Sequence, residues 1–452
     1  MSAKTPNADA VADFVVGLSD LALPDDVTMA ARMCLVDWLG VAIAGRAEDA
    51  AGAVLRVIAG WGSGRAHILG GGTAHAAAAA MANGTMAHCL DFDDTHVGSL
   101  AHLSGPAWAA AFSLGTQRGA SPDQMIRAFL AGFETGARLG GNGMGEALNA
   151  RSLHSTGFFG CLAAAAAGAA LLRLDRDGVR RSLGAAATQA AGLTASFGTM
   201  AKPFHAGKAA FNGLLSAELA DAGFLPALDL LEAEGGLAAA LVQDRRARMP
   251  AIDFGDGWEV LRNTFKPYAS CLLTHPVVDA ARQLAAAVPS TAIERVRIGV
   301  HPMAIQLAGK PAPATPLEGK FSTAFCAALG LSGHPVSQGD FTAERLADAG
   351  LRRLTSRAEL IEEPGIAKTA AWLELTTADG GTRRADVPLA LGNPGRPMGW
   401  DDLRAKFLGL VEPSLGADGV VLFEHARRFE TGENLATVLR LTGSRGTSGN
   451  FG

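Results

Sequence analysis

Three carboxylates and two imidazoles fall within nine residues, His88-Cys-Leu-Asp-Phe-Asp-Asp-Thr-His96, of a chain otherwise rich in Ala and Gly. Crowding Asp91, Asp93 and Asp94 in partial burial raises the pKa of at least one of them, which suits a general acid or base. Thr95, His96 and His102 extend the cluster. The bland alternative is a helix cap and a solvated loop, but perturbed groups gather at functional sites more often than elsewhere. Carboxylate and imidazole are also divalent-metal ligands, yet no fixed ligand spacing such as His-x-x-x-His is present, so no metal is expected.

Three later segments repeat the pattern of a basic residue among small ones. His154-Ser-Thr-Gly157 stands where a buried helix should begin, and a helix N-terminus favours a bound carboxylate. Lys202-Pro-Phe-His205-Ala-Gly-Lys208 reads as a loop whose cations could pair with substrate carboxylates, one desolvated lysine turning into a base. Lys266-Pro-Tyr268 and Cys271-Leu-Leu-Thr-His275-Pro276 follow at an expected domain junction. Each has an ordinary structural reading alone: a capping histidine, surface lysines, a small buried thiol at Cys271. Lys320-Phe-Ser322 is similar but weaker, and Arg138, His301 and His334 read as structural or surface groups. A P-loop, a G-x-G-x-x-G turn, a G-x-S-x-G elbow and a zinc signature are all missing, which removes support for nucleotide-dependent chemistry.

The elements that must carry these groups are mostly helical. Pro24-Asp25-Asp26 opens a helix with apolar Val27, Ala31, Cys34, Leu35, Trp38, Leu39 and Ala42 at helical spacing. Similar patterns run over His75–Ala87, Pro106–Arg118, Pro122–Leu139, Thr156–Leu174, Asp177–Gly192 and Lys208–Ala222. Strand alternation appears only later, at Ala292–His301 and in two runs flanking Asp379-Gly380-Gly381 between Ala371 and Val387. Helix returns at Asp401–Val411 and Asp418–Phe429. The expected fold class is therefore mainly α: a large all-helical domain of residues 1–263 plus 398–452, interrupted by a smaller α+β domain of residues 264–397. A cleft between them is the expected binding site. The tail from Thr442 to Gly452 is expected to be mobile.

Composition agrees. The 452 residues exceed what one core usually supports. They are 48% hydrophobic but only 6% aromatic, which favours closely packed helices over a sheet rich in Val, Ile and aromatics. A net charge of −5 provides no general field for nucleic acid or an anionic membrane. The five cysteines are scattered without a C-x-x-C pair, which fits a reducing cytoplasm and gives no sign of a disulfide framework. The N-terminus lacks a signal-peptide pattern. The uncharged stretches Ser152–Leu172 and Ser182–Ala201 are Ala/Gly/Thr rich, as in buried helices of a soluble bundle rather than membrane spans.

Taken in order, these segments resemble the MmgE/PrpD family, whose members include 2-methylcitrate dehydratases, cis-aconitate decarboxylases and an iminodisuccinate epimerase. The resemblance also covers Cys34-Leu-Val-Asp37-Trp-Leu-Gly40, Asn83-Gly84, Lys320-Phe321-Ser322 and Lys406-Phe407. It implies a helical domain with a smaller α+β lid, a homodimer, and no metal or organic cofactor. It further implies that Asp91, Thr95, His102, His154, Lys202 and Lys266 line the pocket, with His102 or His154 moving protons and the lysines binding carboxylates. The catalytic candidates are thus Asp91, His102, His154 and Lys266, and the substrate-binding candidates Asp93, Thr95, Lys202, His205, Lys208, Cys271 and His275. Cys271 and Phe325 stand where the cis-aconitate decarboxylases carry histidine and tyrosine. The activity this suggests is a hydro-lyase acting on a small di- or tricarboxylate, with epimerisation, decarboxylation or carboxylate binding without catalysis as alternatives.

Overall fold

The computed structural model describes residues 6–443 apart from 244, 245, 247 and 248. The chain forms two compact units: residues 1–89, 93–263 and 407–452 in the first, and residues 90–92 with 264–406 in the second.

The first unit is built of helices. Asp25–Gly45 follows Pro24 in extended backbone, carries Asp25 and Asp26 in its first turn, and buries every apolar position named above. Acidic residues at that end complement the helix dipole. Pro122–Gly140 begins with a capping box in which Ser121 and Gln124 satisfy each other's backbone N–H groups. Small residues then let helices approach to backbone contact. A Cβ on Gly207 would lie 2.0 Å from Thr85 Oγ1 and 2.4 Å from the Met81 carbonyl, and one on Gly213 would lie 2.3 Å from the Cys161 carbonyl. The helix Ala201–Asp221 is thereby packed against both Ala76–His88 and Ser155–Leu172. Trp108 stacks on Phe129 at 4.6 Å between ring centres. Asp25–Gly45 and Ser155–Leu172 are long and apolar enough to cross a membrane, and both are mostly buried within the fold.

Several expected boundaries change. The helix assigned to Lys208–Ala222 starts at Ala201, so the Lys202–Lys208 segment is helix and not loop. Pro203 occupies the first turn, where no intrahelical N–H bond is required. The helix expected over Asp177–Gly192 ends at Ala187, and Gly192, at φ +147°, gives its carbonyl to the His154 N–H. Thr442, the first residue of the expected mobile tail, is 1% exposed. Its carbonyl accepts the Gly70 N–H at 2.7 Å and its hydroxyl lies 2.9 Å from His67 Nε2. The tail beyond residue 443 lies outside the described residues.

The second unit contains a four-stranded sheet in the order Ala358–Glu362, Ile293–Val300, Ala371–Thr377, Thr382–Val387. The first pair is parallel and the other two are antiparallel. The alternation at Val296, Ile298 and Val300 places all three in the core. The expected turn forms around Gly380 at φ +82°, with the Thr377 N–H donating to the Gly381 carbonyl. The strand Ala358–Glu362 was not expected, because its sequence Ala-Glu-Leu-Ile-Glu is short and carries two glutamates. The helices His275–Ala285 and Thr323–Leu331 pack together within this unit.

Candidate active site

In the first unit the polar side chains converge on Asp93. Its carboxylate is buried and lies 2.9 and 3.1 Å from His88 Nδ1 and 3.2 Å from His102 Nδ1. His88 is the last residue of the Ala76–His88 helix, and His102 lies two residues before the Ser104–Arg118 helix. The Thr95 hydroxyl is 3.3 Å from His102 Nδ1, and the His102 backbone N–H donates to Thr156 Oγ1 at 3.0 Å. A carboxylate is acceptor-only, so both imidazoles present Nδ1–H to it. Burial by itself would raise Asp93, but the His102 and His88 rings hold it well below the usual carboxylate range. His88 is pulled down first by burial, against the upward pull of Asp93.

A second imidazole pair adjoins the first. The His154 ring stacks 5.9 Å from His88, and its Nδ1 lies 3.1 Å from His205 Nδ1, so one of the two nitrogens donates and the other accepts. His154 precedes the Ser155–Leu172 helix, to which no side chain supplies a cap. Burial, then the neighbouring His88 and Lys202, hold His154 well below its ordinary value. His205 is lowered chiefly by burial. Lys202 Nζ sits 5.3 Å from the Phe197 ring centre, and the same ring meets His154 edge-on at 4.9 Å.

Asp93, Thr95, His102, His154, His205 and Lys202 are thus gathered in one region of this unit. Lys208 is turned elsewhere, donating to Asn212 Oδ1 at 2.6 Å with its ammonium over Phe211. His88, one of the two imidazoles of the cluster singled out from sequence, was not carried into the catalytic or substrate-binding candidates. A helix-terminal histidine five residues before an aspartate resembles a core histidine until the chain folds back. His96 serves packing, bonded to Ser99 and Glu259. Arg138 is structural as expected: it pairs with Glu134 and donates to the carbonyls of Asp253 and Gly257.

Asp93 and Asp94 separate in acidity. Burial first and the Asp37 charge second push Asp94 up to about 8. Its backbone N–H donates to Asp37 Oδ2 at 3.0 Å.

In the second unit, three buried lysines seize consecutive carbonyls of the segment 90–92. Lys320 donates to Leu90 O at 2.7 Å, Lys266 to Asp91 O at 2.6 Å and Lys406 to Phe92 O at 2.6 Å. Lys266 also reaches Asp91 Oδ1 at 3.2 Å, and Asp91 adopts a left-handed backbone at φ +52°. Cys271 is half-buried and gives its N–H to the Lys320 carbonyl. His275 is wholly enclosed, with Nε2 3.2 Å from the Ser270 carbonyl, and burial lowers it to about 3. Phe325 is buried in the Thr323–Leu331 helix.

Comparison with known proteins connects this arrangement to a family. The MmgE/PrpD N-terminal domain matches residues 9–250 and the MmgE/PrpD C-terminal domain matches residues 268–425. Cis-aconitate decarboxylase of Aspergillus terreus is 28% identical over 70% of this chain and 71% of its own length. The mouse enzyme of the same name is 26% identical over 80% of this chain and 78% of its own, and the human one 27% identical over 76% and 74%.

Proposed function

The chain belongs to the MmgE/PrpD family, and on that footing we propose that it is a lyase of the hydro-lyase type, acting on a small di- or tricarboxylate through general acid/base proton transfer. The observation that carries this reading is Asp93, whose carboxylate faces the Nδ1 of both His102 and His88. An aspartate at Nδ1 selects the tautomer and stabilises the imidazolium that forms when the other nitrogen takes up a proton. His102 Nε2 then removes the hydrogen from the carbon beside a substrate carboxylate. His154, held low by burial, hydrogen-bonds the departing hydroxyl as a neutral imidazole can, and the proton that His102 has taken passes to that oxygen so that water leaves. Lys202 and the N-terminus of the Ser155–Leu172 helix supply positive potential for substrate carboxylates.

Decarboxylation is the second reading, favoured by the relatives named as cis-aconitate decarboxylases. The same dyad would then deliver a proton, from His102 as imidazolium, to the carbon that loses carbon dioxide. Proton NMR in D2O with citrate, 2-methylcitrate, cis-aconitate, tartrate, malate and aspartate-derived dicarboxylates separates the two. New olefinic signals from a hydroxy acid support elimination, and carbon dioxide release supports decarboxylation. Deuterium incorporation without either product makes the enzyme an epimerase, and no change with any compound overturns the proposal.

A further inference from the structure

His88 makes the shorter contact with Asp93. Its Nδ1 lies 2.9 and 3.1 Å from the two oxygens, whereas His102 Nδ1 is 3.2 Å from one of them. The His88 side chain has no solvent exposure, while that of His102 has 12%. The two rings meet edge-on at 4.6 Å. His88 Nε2 is buried with no hydrogen-bond partner among the described residues, so Asp93 is the one side chain among them to which His88 hydrogen-bonds. His88 is therefore placed to act on the carboxylate and, through it, on His102.

A hydrogen bond to a carboxylate withdraws part of the charge that would otherwise stabilise a neighbouring cation. We propose that His88 is a positioning residue of this site: by donating its Nδ1–H to Asp93 it divides that carboxylate between two imidazoles, holds both rings in the Nδ1–H tautomer, and sets the pH at which His102 works. The other charged or titratable groups of this unit facing the cluster are His154 at the start of the Ser155–Leu172 helix, Lys202 and His205 on the Ala201–Asp221 helix, and Asp94 along the chain. His88 contributes to the lowering of His154 and His205, an effect that both His88→Leu and His88→Asn remove, so the difference between those two variants reports the Asp93 bond.

The inference rests on the proposed role of His102, and two measurements separate its fate from that of the lyase reading. Nitrogen-15 NMR of the ring-labelled full-length protein, without substrate, reads the tautomers directly. The expected spectrum has His88 and His102 both protonated at Nδ1, and a His88 protonated at Nε2 alone overturns the proposal whether or not a substrate is known. The pH profile of kcat/KM, measured with the compound turned over in the D2O panel, then tests the consequence. In His88→Leu, which lacks a donor, the acid-side midpoint should move upward by roughly one pH unit, since Asp93 is then left wholly to His102. His88→Asn places an amide N–H where Nδ1 stood and should return the midpoint toward the parent value. Loss of kcat in both variants with an unmoved midpoint would mean that His88 merely fills space, and would refute its positioning role.

Discussion

At the scale of single residues, the decisive event is the sorting of three neighbouring aspartates into three environments. Asp93 faces two imidazoles, Asp94 faces another carboxylate, and Asp91 faces an ammonium. Only the first can orient a proton-transferring ring. Asp93→Asn should therefore lower kcat by about 10²–10⁴-fold, the scale of a positioned acid or base, with the helix content by circular dichroism unaltered. A change of less than about threefold would remove Asp93 from the catalytic machinery. The clustering of these groups was legible in the sequence, and so was the expectation that one carboxylate would have a raised pKa. Which one was not, because the partners Asp37, His88 and His102 are brought together by folding.

At the scale of elements, the site depends on helices that touch backbone to backbone. The Ala201–Asp221 helix carries Lys202 and His205, and Gly207 on the same helix is pressed against Thr85 and Met81 of the helix that ends at His88. Gly207→Ala should cost roughly 1–3 kcal/mol from overpacking despite the better helix propensity of alanine. Gly409, in the Trp400–Leu415 helix, has nothing within 4 Å of an added Cβ, so Gly409→Ala should gain about 0.5–1 kcal/mol. Urea denaturation of the two variants checks both signs. The start of the Ala201–Asp221 helix was misjudged from sequence because Pro203 and Gly207 look like loop punctuation. In space the proline occupies a first turn and the glycine is a close contact. The three lysines on carbonyls 90–92 belong to the same lesson, since Lys266, Lys320 and Lys406 are scattered along the sequence and share a target only after folding.

For the whole molecule, the shifted groups set the pH range of stability. His275, lowered to about 3, and His67, His88, His154 and His205, all lowered by burial, take up protons more readily when unfolded. Their contribution is fully present above about pH 6.5 and is lost as pH falls below it. Asp94 has the opposite sign. Raised to about 8, it contributes stability that is full below about pH 4, the ordinary range of a carboxylic acid, and is lost as pH rises through 8. Thermal unfolding should accordingly show a maximum in Tm near pH 6.5, a fall on the acid side, and a smaller fall toward pH 8–9. Asp94→Asn, neutral at every pH, should flatten the alkaline side and steepen the fall below about pH 6.5, because the opposing slope that Asp94 contributes between about pH 4 and 8 is gone. An alkaline side of equal slope in that variant would show that Asp94 is not its source.

The mainly helical class was determined by sequence, because the 3.6-residue spacing of small apolar residues is a local property and survives without any knowledge of neighbours. The same holds for the strand alternation after residue 292, and the family resemblance rests on ordered motifs that need no coordinates. Tertiary structure alone decided which histidine meets which carboxylate. It made His88 a partner of Asp93, enclosed His275, and joined Lys320 and Lys406 to a segment hundreds of residues away. Hydrogen bonds act over about 3 Å, and only close packing of distant helices brings such groups that near.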